Sequence, residues 1–188
     1  MRPALYLAAL LGLTLSVQGQ SSIVYNGNFE GGWNNGPLGW GWTDSVALTG
    51  DGLNNYAEVF GSLYQDLATS PGQPYSLNFR MAGNYPIMNL AILNVMWGEE
   101  MIGTVTWNSA GDDTNDPGWV YAEFDVIASA STTRLTFDNP LATNNIPLPL
   151  WFSKIDDVQV VIAPEPSVWI LGGVGSVVLF ATRRRLSR

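Results

Sequence analysis

The chain has 188 residues, sixteen acidic against eight basic, and contains neither cysteine nor histidine. Those two absences exclude disulfides, thiol nucleophiles, zinc–thiolate sites, a Ser-His-Asp triad and acid–base work by imidazole. Five of the basic residues lie at the two ends, so the interior holds three (Arg80, Arg134, Lys154) against fifteen acids, a net −12, which argues against nucleic acid and anionic lipid as ligands.

At the N-terminus Arg2 precedes an apolar stretch from Ala4 to Leu15, and Val17-Gln18-Gly19 ends on a small residue. This is the layout of a secretory signal peptide over residues 1–19, cut by signal peptidase after Gly19 or Gln20. The remainder, residues 20–162, amounts to one domain by length, with enough chain to bury a core without covalent staples.

Along that domain apolar and polar residues alternate with period two, and helical periodicity is not sustained anywhere. Tyr75, Leu77, Phe79 and Met81 share one face of a strand, and Ser76, Asn78 and Arg80 the other. Arg134 to Asp138 alternates in the same way. Further strands are expected at Ile23 to Tyr25, Ala57 to Phe60, Leu63 to Leu67, Leu90 to Trp97, Met101 to Trp107, Trp119 to Ile127 and Ile155 to Ile162. Ser70-Pro71-Gly72 reads as a turn, Gly98-Glu99-Glu100 as a hairpin tip, Gly111-Asp112-Asp113 as part of a long polar loop, and Pro140 to Pro149 as a connection to the last strand. Eight or nine short strands in one domain predict an all-β, antiparallel sandwich of jelly-roll type.

The C-terminal segment, 163–188, has a different chemistry. Pro164-Glu165-Pro166 is followed by the uncharged run 168–182, and then by Arg183, Arg184 and Arg185. As a helix at ~1.5 Å per residue the run spans ~22 Å, shorter than the ~30 Å hydrocarbon layer. Trp169, the snorkelling arginines and local thinning of the bilayer make up the difference, so a transmembrane helix is expected. The arginines hold its end in the cytoplasm and place the domain outside.

This ordered set, from Ala163-Pro164-Glu165-Pro166-Ser167 through the short helix to the arginine cluster, resembles the PEP-CTERM sorting signal of Gram-negative bacteria that make exopolysaccharide. The resemblance implies processing at or near Pro164-Glu165-Pro166 by an exosortase. It also implies transient anchoring in the inner membrane, with a final place at the cell surface or in the extracellular matrix. A plain tail anchor is the alternative.

A second resemblance covers the domain. Tyr25-Asn26-Gly27-Asn28-Phe29-Glu30, Leu63-Tyr64-Gln65-Asp66-Leu67, Pro71-Gly72-Gln73-Pro74-Tyr75-Ser76-Leu77 and Ile155-Asp156-Asp157-Val158 together look like the galactose-binding-like and carbohydrate-binding-module jelly rolls. That resemblance implies a structural calcium ion held by Glu30 and Asp157, with Asp51 as a third ligand. Alternation places Asp156, not Asp157, on the face of Val158 and Val160, so either a bulge shifts the register or Asp156 is the ligand. Polysaccharide is the implied ligand, since apolar sugar faces stack on aromatic rings. Trp97, Trp107 and Trp119 sit where core or sheet-edge packing is expected, and Trp33 and Trp151 carry no assigned role. Trp40 and Trp42, spaced to share one face of an extended segment, are the exposed candidates.

No catalytic residue is assigned. A glycosidase needs two carboxyls ~5–9 Å apart, and Asp156 and Asp157, adjacent on a strand, point to opposite faces. Glu99-Glu100 and Asp112-Asp113 fall in turns. The expectation is a non-catalytic, exported matrix or envelope protein that binds polysaccharide, with a purely structural or adhesive protein as the alternative.

Overall fold

The computed structural model describes residues 21–31, 37–43, 46–50, 54–83, 90–108, 118–141 and 152–163. Among them are ten strands: β1 (Gly41–Trp42), β2 (Val46–Gly50), β3 (Asn55–Val59), β4 (Ser62–Ala68), β5 (Pro74–Ala82), β6 (Leu90–Trp97), β7 (Glu100–Asn108), β8 (Val120–Ile127), β9 (Thr132–Asp138) and β10 (Ser153–Ile162). No helix occurs among the described residues, and hence none able to cross a membrane. The signal peptide, the Pro-Glu-Pro motif, the apolar run and the arginine cluster lie outside them.

Two five-stranded sheets form, in the orders β1-β4-β9-β6-β7 and β2-β3-β10-β5-β8, with every pairing antiparallel. Period-two alternation decides which residues meet between them. From β5 Tyr75, Leu77, Phe79 and Met81 are buried, and from β4 and β9 Leu63, Leu67, Leu135 and Phe137 face them. Phe137 meets the Phe79 ring edge-on at 4.8 Å and lies 6.2 Å from Trp40, which in turn tilts against Phe29 at 5.6 Å. The Phe29 of the opening motif is thus a core residue.

The predicted strands from Ala57 onward are present with small shifts of their ends. Gly98, with φ +66, and Glu99 form the expected tip between β6 and β7. Ile23 to Tyr25 is not a strand, although its backbone joins β10 through Ile23 N–H to Val160 O at 2.9 Å. β1 and β2 were not expected, because Gly41-Trp42 is too short to show a period and Val46–Gly50 lacks alternation.

Truncation of Phe137 removes a ring that joins both sheets. Phe137→Ala is expected to cost about 3–5 kcal/mol, read as a lower denaturation midpoint with an unchanged slope.

Candidate functional site

The acidic groups of the predicted calcium site come first. β10 does contain a bulge: its register against β5 jumps from Asp156↔Arg80 to Gln159↔Asn78, with Asp157 in the left-handed region at φ 52°. The extra residue lets Ile155, Val158 and Val160 all face the core while Asp156 stays on the outer face opposite Arg80. The N-terminal segment follows the bulge closely, Val158 N–H donating to Gly27 O at 2.8 Å. A Cβ at Gly27 would lie 2.0 Å from Val158 O, which explains the glycine of the opening motif. A polar pocket of 440 Å³ opens beside the bulge, bounded by Ser22, Asn28, Asp157 and Gln159, with no aromatic ring in its lining.

Asp156 is fully buried although it points outward. Its Oδ2 accepts from Arg80 Nη2 at 2.5 Å and from Asn54 Nδ2 at 2.7 Å, and its Oδ1 from the Asp157 N–H at 2.7 Å. Arg80 Nε lies 2.9 Å from Asp157 Oδ2, close enough for charge attraction, but its N–H is not aimed to make a hydrogen bond. Over this pair stack the Trp119 ring, 5.1 Å from the Arg80 guanidinium carbon, and Tyr56, edge-on to Trp119 at 5.7 Å and under the Lys154 ammonium at 5.0 Å. Burial pushes the Asp156 carboxyl above its ordinary value, against the lowering by Asn54, the Asp157 N–H and Arg80.

Glu30 is exposed and accepts two hydrogen bonds from Asn55, from its backbone N–H and its Nδ2, both at 2.6 Å. Asp156 and Glu30 are thus met by protein donors, and Arg80 supplies positive charge beside Asp156 and Asp157. Among the described residues no three acidic side chains gather as a metal site; Asp51 lies outside them.

The aromatic assignments also change. Trp40 is buried, with Nε1–H donating to Asn26 O at 3.2 Å, so it cannot stack on a ligand. Trp42 shares its face as expected, but that face is inward, since Trp42 pairs with the buried Leu63. On the edge strand β1 it is nonetheless 36% exposed, as expected. Trp97 and Trp107 are core residues as expected, Trp119 covers the Asp156–Arg80 pair, and Trp33 and Trp151 lie outside the described residues.

The residue that the sequence reading missed is Tyr64. It stands on the outer face of the first sheet, in a row crossing four strands: Gly41, Tyr64, Thr136 and Met96 are successive partners. The Arg134 guanidinium carbon sits 4.2 Å from the Tyr64 ring centre and makes two bonds to Asp66, at 2.7 and 2.8 Å. The bonds from Arg134 hold the Asp66 carboxyl below its ordinary value. Gly41 keeps the row open, because a Cβ there would lie 2.4 Å from Tyr64 Cζ. Beyond Tyr64 runs a parallel polar row, Ser62, Asp138, Asn94 and Thr104, in which Ser62 Oγ donates to Asp138 at 2.7 Å and Thr104 Oγ1 to Asn94 Oδ1 at 2.9 Å. Period-two alternation already placed Tyr64 on the polar face of its strand, which was the available signal.

Removing Arg80 would leave Asp156 buried without its cation. Arg80→Met is expected to cost about 3–5 kcal/mol near neutral pH. A carboxyl whose folded pKa is raised binds its proton in the folded state first, so the penalty is complete above the folded pKa and fades as pH falls toward the unfolded value. Denaturation at several pH values checks this. A loss independent of pH would show that packing, not charge, is what Arg80 contributes. Because Arg80 neutralises Asp156 and Asn55 already bonds Glu30, equal melting temperatures in calcium and in chelator are expected, and a rise with calcium would restore the ion.

No family model matches the chain, and no curated protein does. Among solved structures it is similar to the CBM22-2 xylan-binding domain of Paenibacillus barcinonensis Xyn10C, at 15% identity and a TM-score of 0.51, over 67% of this chain and 92% of that one. The CBM22-1-CBM22-2 tandem of the same protein gives 15% and 0.51 over 67% of this chain and 46% of that one. A CBM4 structure is similar at 16% identity and a TM-score of 0.48, over 76% of this chain and all of that one. At such identities the likeness is one of fold: the chain folds as the antiparallel β-sandwich seen in carbohydrate-binding modules.

Proposed function

We propose that this is an exported, surface-sorted, non-catalytic protein of the extracellular matrix or envelope, and that it binds neutral polysaccharide across the outer face of its first sheet. The observation that carries the binding reading is the Tyr64 row. Neighbouring strands lie ~4.8 Å apart, close to the length of one pyranose unit, so a glycan lying across the strands meets a new side chain at each sugar. Tyr64 and Met96 offer apolar contact to sugar faces. Ser62, Asn94, Thr104 and Thr136 offer hydroxyl and amide partners of the kind that orient a polar ligand. The face holds Arg134 against Asp66 and Asp138, inside a domain of net −12, which favours a neutral glycan over a uronate polymer. The fold shared with a xylan-binding domain supports the same class of ligand.

Export rests on the signal peptide and the sorting segment, with signal peptidase and an exosortase as partners in transit. Catalysis finds no support on this face. A glycosidase needs a carboxyl with a raised pKa to serve as general acid, whereas Asp66 is held low by Arg134 and Asp138 is bonded to Ser62.

Tyr64→Ala is expected to weaken retention on a neutral polysaccharide such as xylan about tenfold, the worth of an aromatic contact of ~1.4 kcal/mol, with the melting temperature little changed. Trp119→Ala, on the opposite face, is expected to leave retention intact. Affinity electrophoresis in gels with and without the polysaccharide measures both. Equal retention of wild type and Tyr64→Ala would remove this face as the site, and no retention of the wild type on any neutral or uronate polymer would favour the adhesive reading.

A further inference from the structure

The two ends of the described domain emerge together. β10 finishes at Ile162, and the Ala163 N–H still donates to Pro74 O at 3.0 Å, so the fold holds the chain up to the residue before Pro164. Beside it, the Ile23 N–H donates to Val160 O and the Val160 N–H to Ser22 Oγ, which carries Ser21 to the same end of the sandwich.

That end is closed by short, tightly bonded loops. Gly72 N–H donates to Ala128 O at 2.7 Å, Ala128 N–H to Gln73 O at 3.1 Å and Thr69 N–H to Ser131 O at 3.0 Å. Loops 69–73 and 128–131 carry no charged side chain, whereas the neighbouring hairpin tip carries Glu99 and Glu100. Beside those two loops stand exposed apolar side chains, Ile127 at 67% and Ile162 at 40%. Two uncharged loops flanked by exposed apolar groups stand out on a domain of net −12.

The chain leaving this end leaves little slack. Four residues, Pro164 to Ser167, separate Ala163 from the apolar run beginning at Val168. Fully extended they reach ~14 Å, and roughly 6 Å of that is taken up by the headgroup layer. We propose that this end of the sandwich is a membrane-facing surface, on which loops 69–73 and 128–131 with Ile127 and Ile162 seat against lipid headgroups while residues 168–182 are inserted. The proposal rests on reading 168–182 as a membrane span. Seating places the Tyr64 row on the side of the molecule, clear of the bilayer, and keeps most acidic side chains away from anionic lipid.

The chain has no cysteine, so a single introduced thiol reports one position. Full-length Ser129→Cys and Pro140→Cys proteins, which place the thiol at the seated end and at the opposite end of β9, are labelled with a fluorophore and reconstituted into phosphatidylcholine vesicles. Part of that lipid carries a quencher on its headgroup. Loss of most of the fluorescence at position 129 and little at 140 is expected. A flexible Gly/Ser insert of ~10 residues between Ala163 and Pro164 is expected to abolish the difference. Equal quenching at the two positions, in protein that floats with the vesicles, would overturn the seating and leave the membrane span standing. Failure to float with vesicles would overturn both.

Discussion

One extra residue in β10 governs much of this molecule. Without the bulge at Asp157, strict alternation would send Asp156, Val158 and Val160 to one face, forcing either a carboxylate into the core or two valines into solvent. With it, Ile155, Val158 and Val160 are buried and Asp156 turns outward to Arg80. The bulge also divides the strand's pairing: residues 153–155 pair with β3, whereas Val158 and Val160 bond the N-terminal segment. Asp157 accepts a left-handed backbone to allow this, a conformation more accessible to Asp than to most residues.

The consequence is a sandwich whose two outer faces differ in kind. On the second sheet, Arg80 and Lys154 are drawn into a layer with Trp119 and Tyr56 that seals Asp156 from water. Burial raises Glu58 and lowers Lys154, each opposed by the other's charge, so even the flanking pair is occupied with its own desolvation. Side chains committed to one another in this way have little left to offer a ligand. On the first sheet the polar groups form short local pairs, Ser62 with Asp138, Thr104 with Asn94 and Arg134 with Asp66, and the row between them is floored by Tyr64 and Met96.

Fold class was legible because period-two alternation is strong wherever a strand has one buried face, and β4, β5, β9 and the later half of β10 all do. It failed for β1 and β2, where two and five residues carry too little pattern. The site was less legible for two separable reasons. Tryptophan count drew attention to Trp40 and Trp42, but spacing shows only that two residues share a face, not which way it turns; the pairing of Trp42 with Leu63 turns it inward. The acids pointed to a cation, and the charge that the described residues bring to Asp156 is Arg80, whose distance of 76 residues in sequence leaves no local trace. Tyr64 sat in plain alternation, yet its value depends on Gly41, Thr136 and Met96, three other strands brought alongside only by the sheet order.

Charge links the sandwich to the segment that follows it. Five of the eight basic residues belong to the two ends of the chain, and fifteen of the sixteen acids to the domain between them. A domain of net −12 would be repelled by anionic headgroups if its acids were spread evenly. The loops around Ala163 are instead almost free of charge, and they lie where the last strand hands over to Pro164. Proline at 164 and 166 has no backbone N–H with which to continue the pairing of β10. On the proposed seating, an enzyme that reads the Pro-Glu-Pro motif would have to work within the few residues that separate Ala163 from the apolar run.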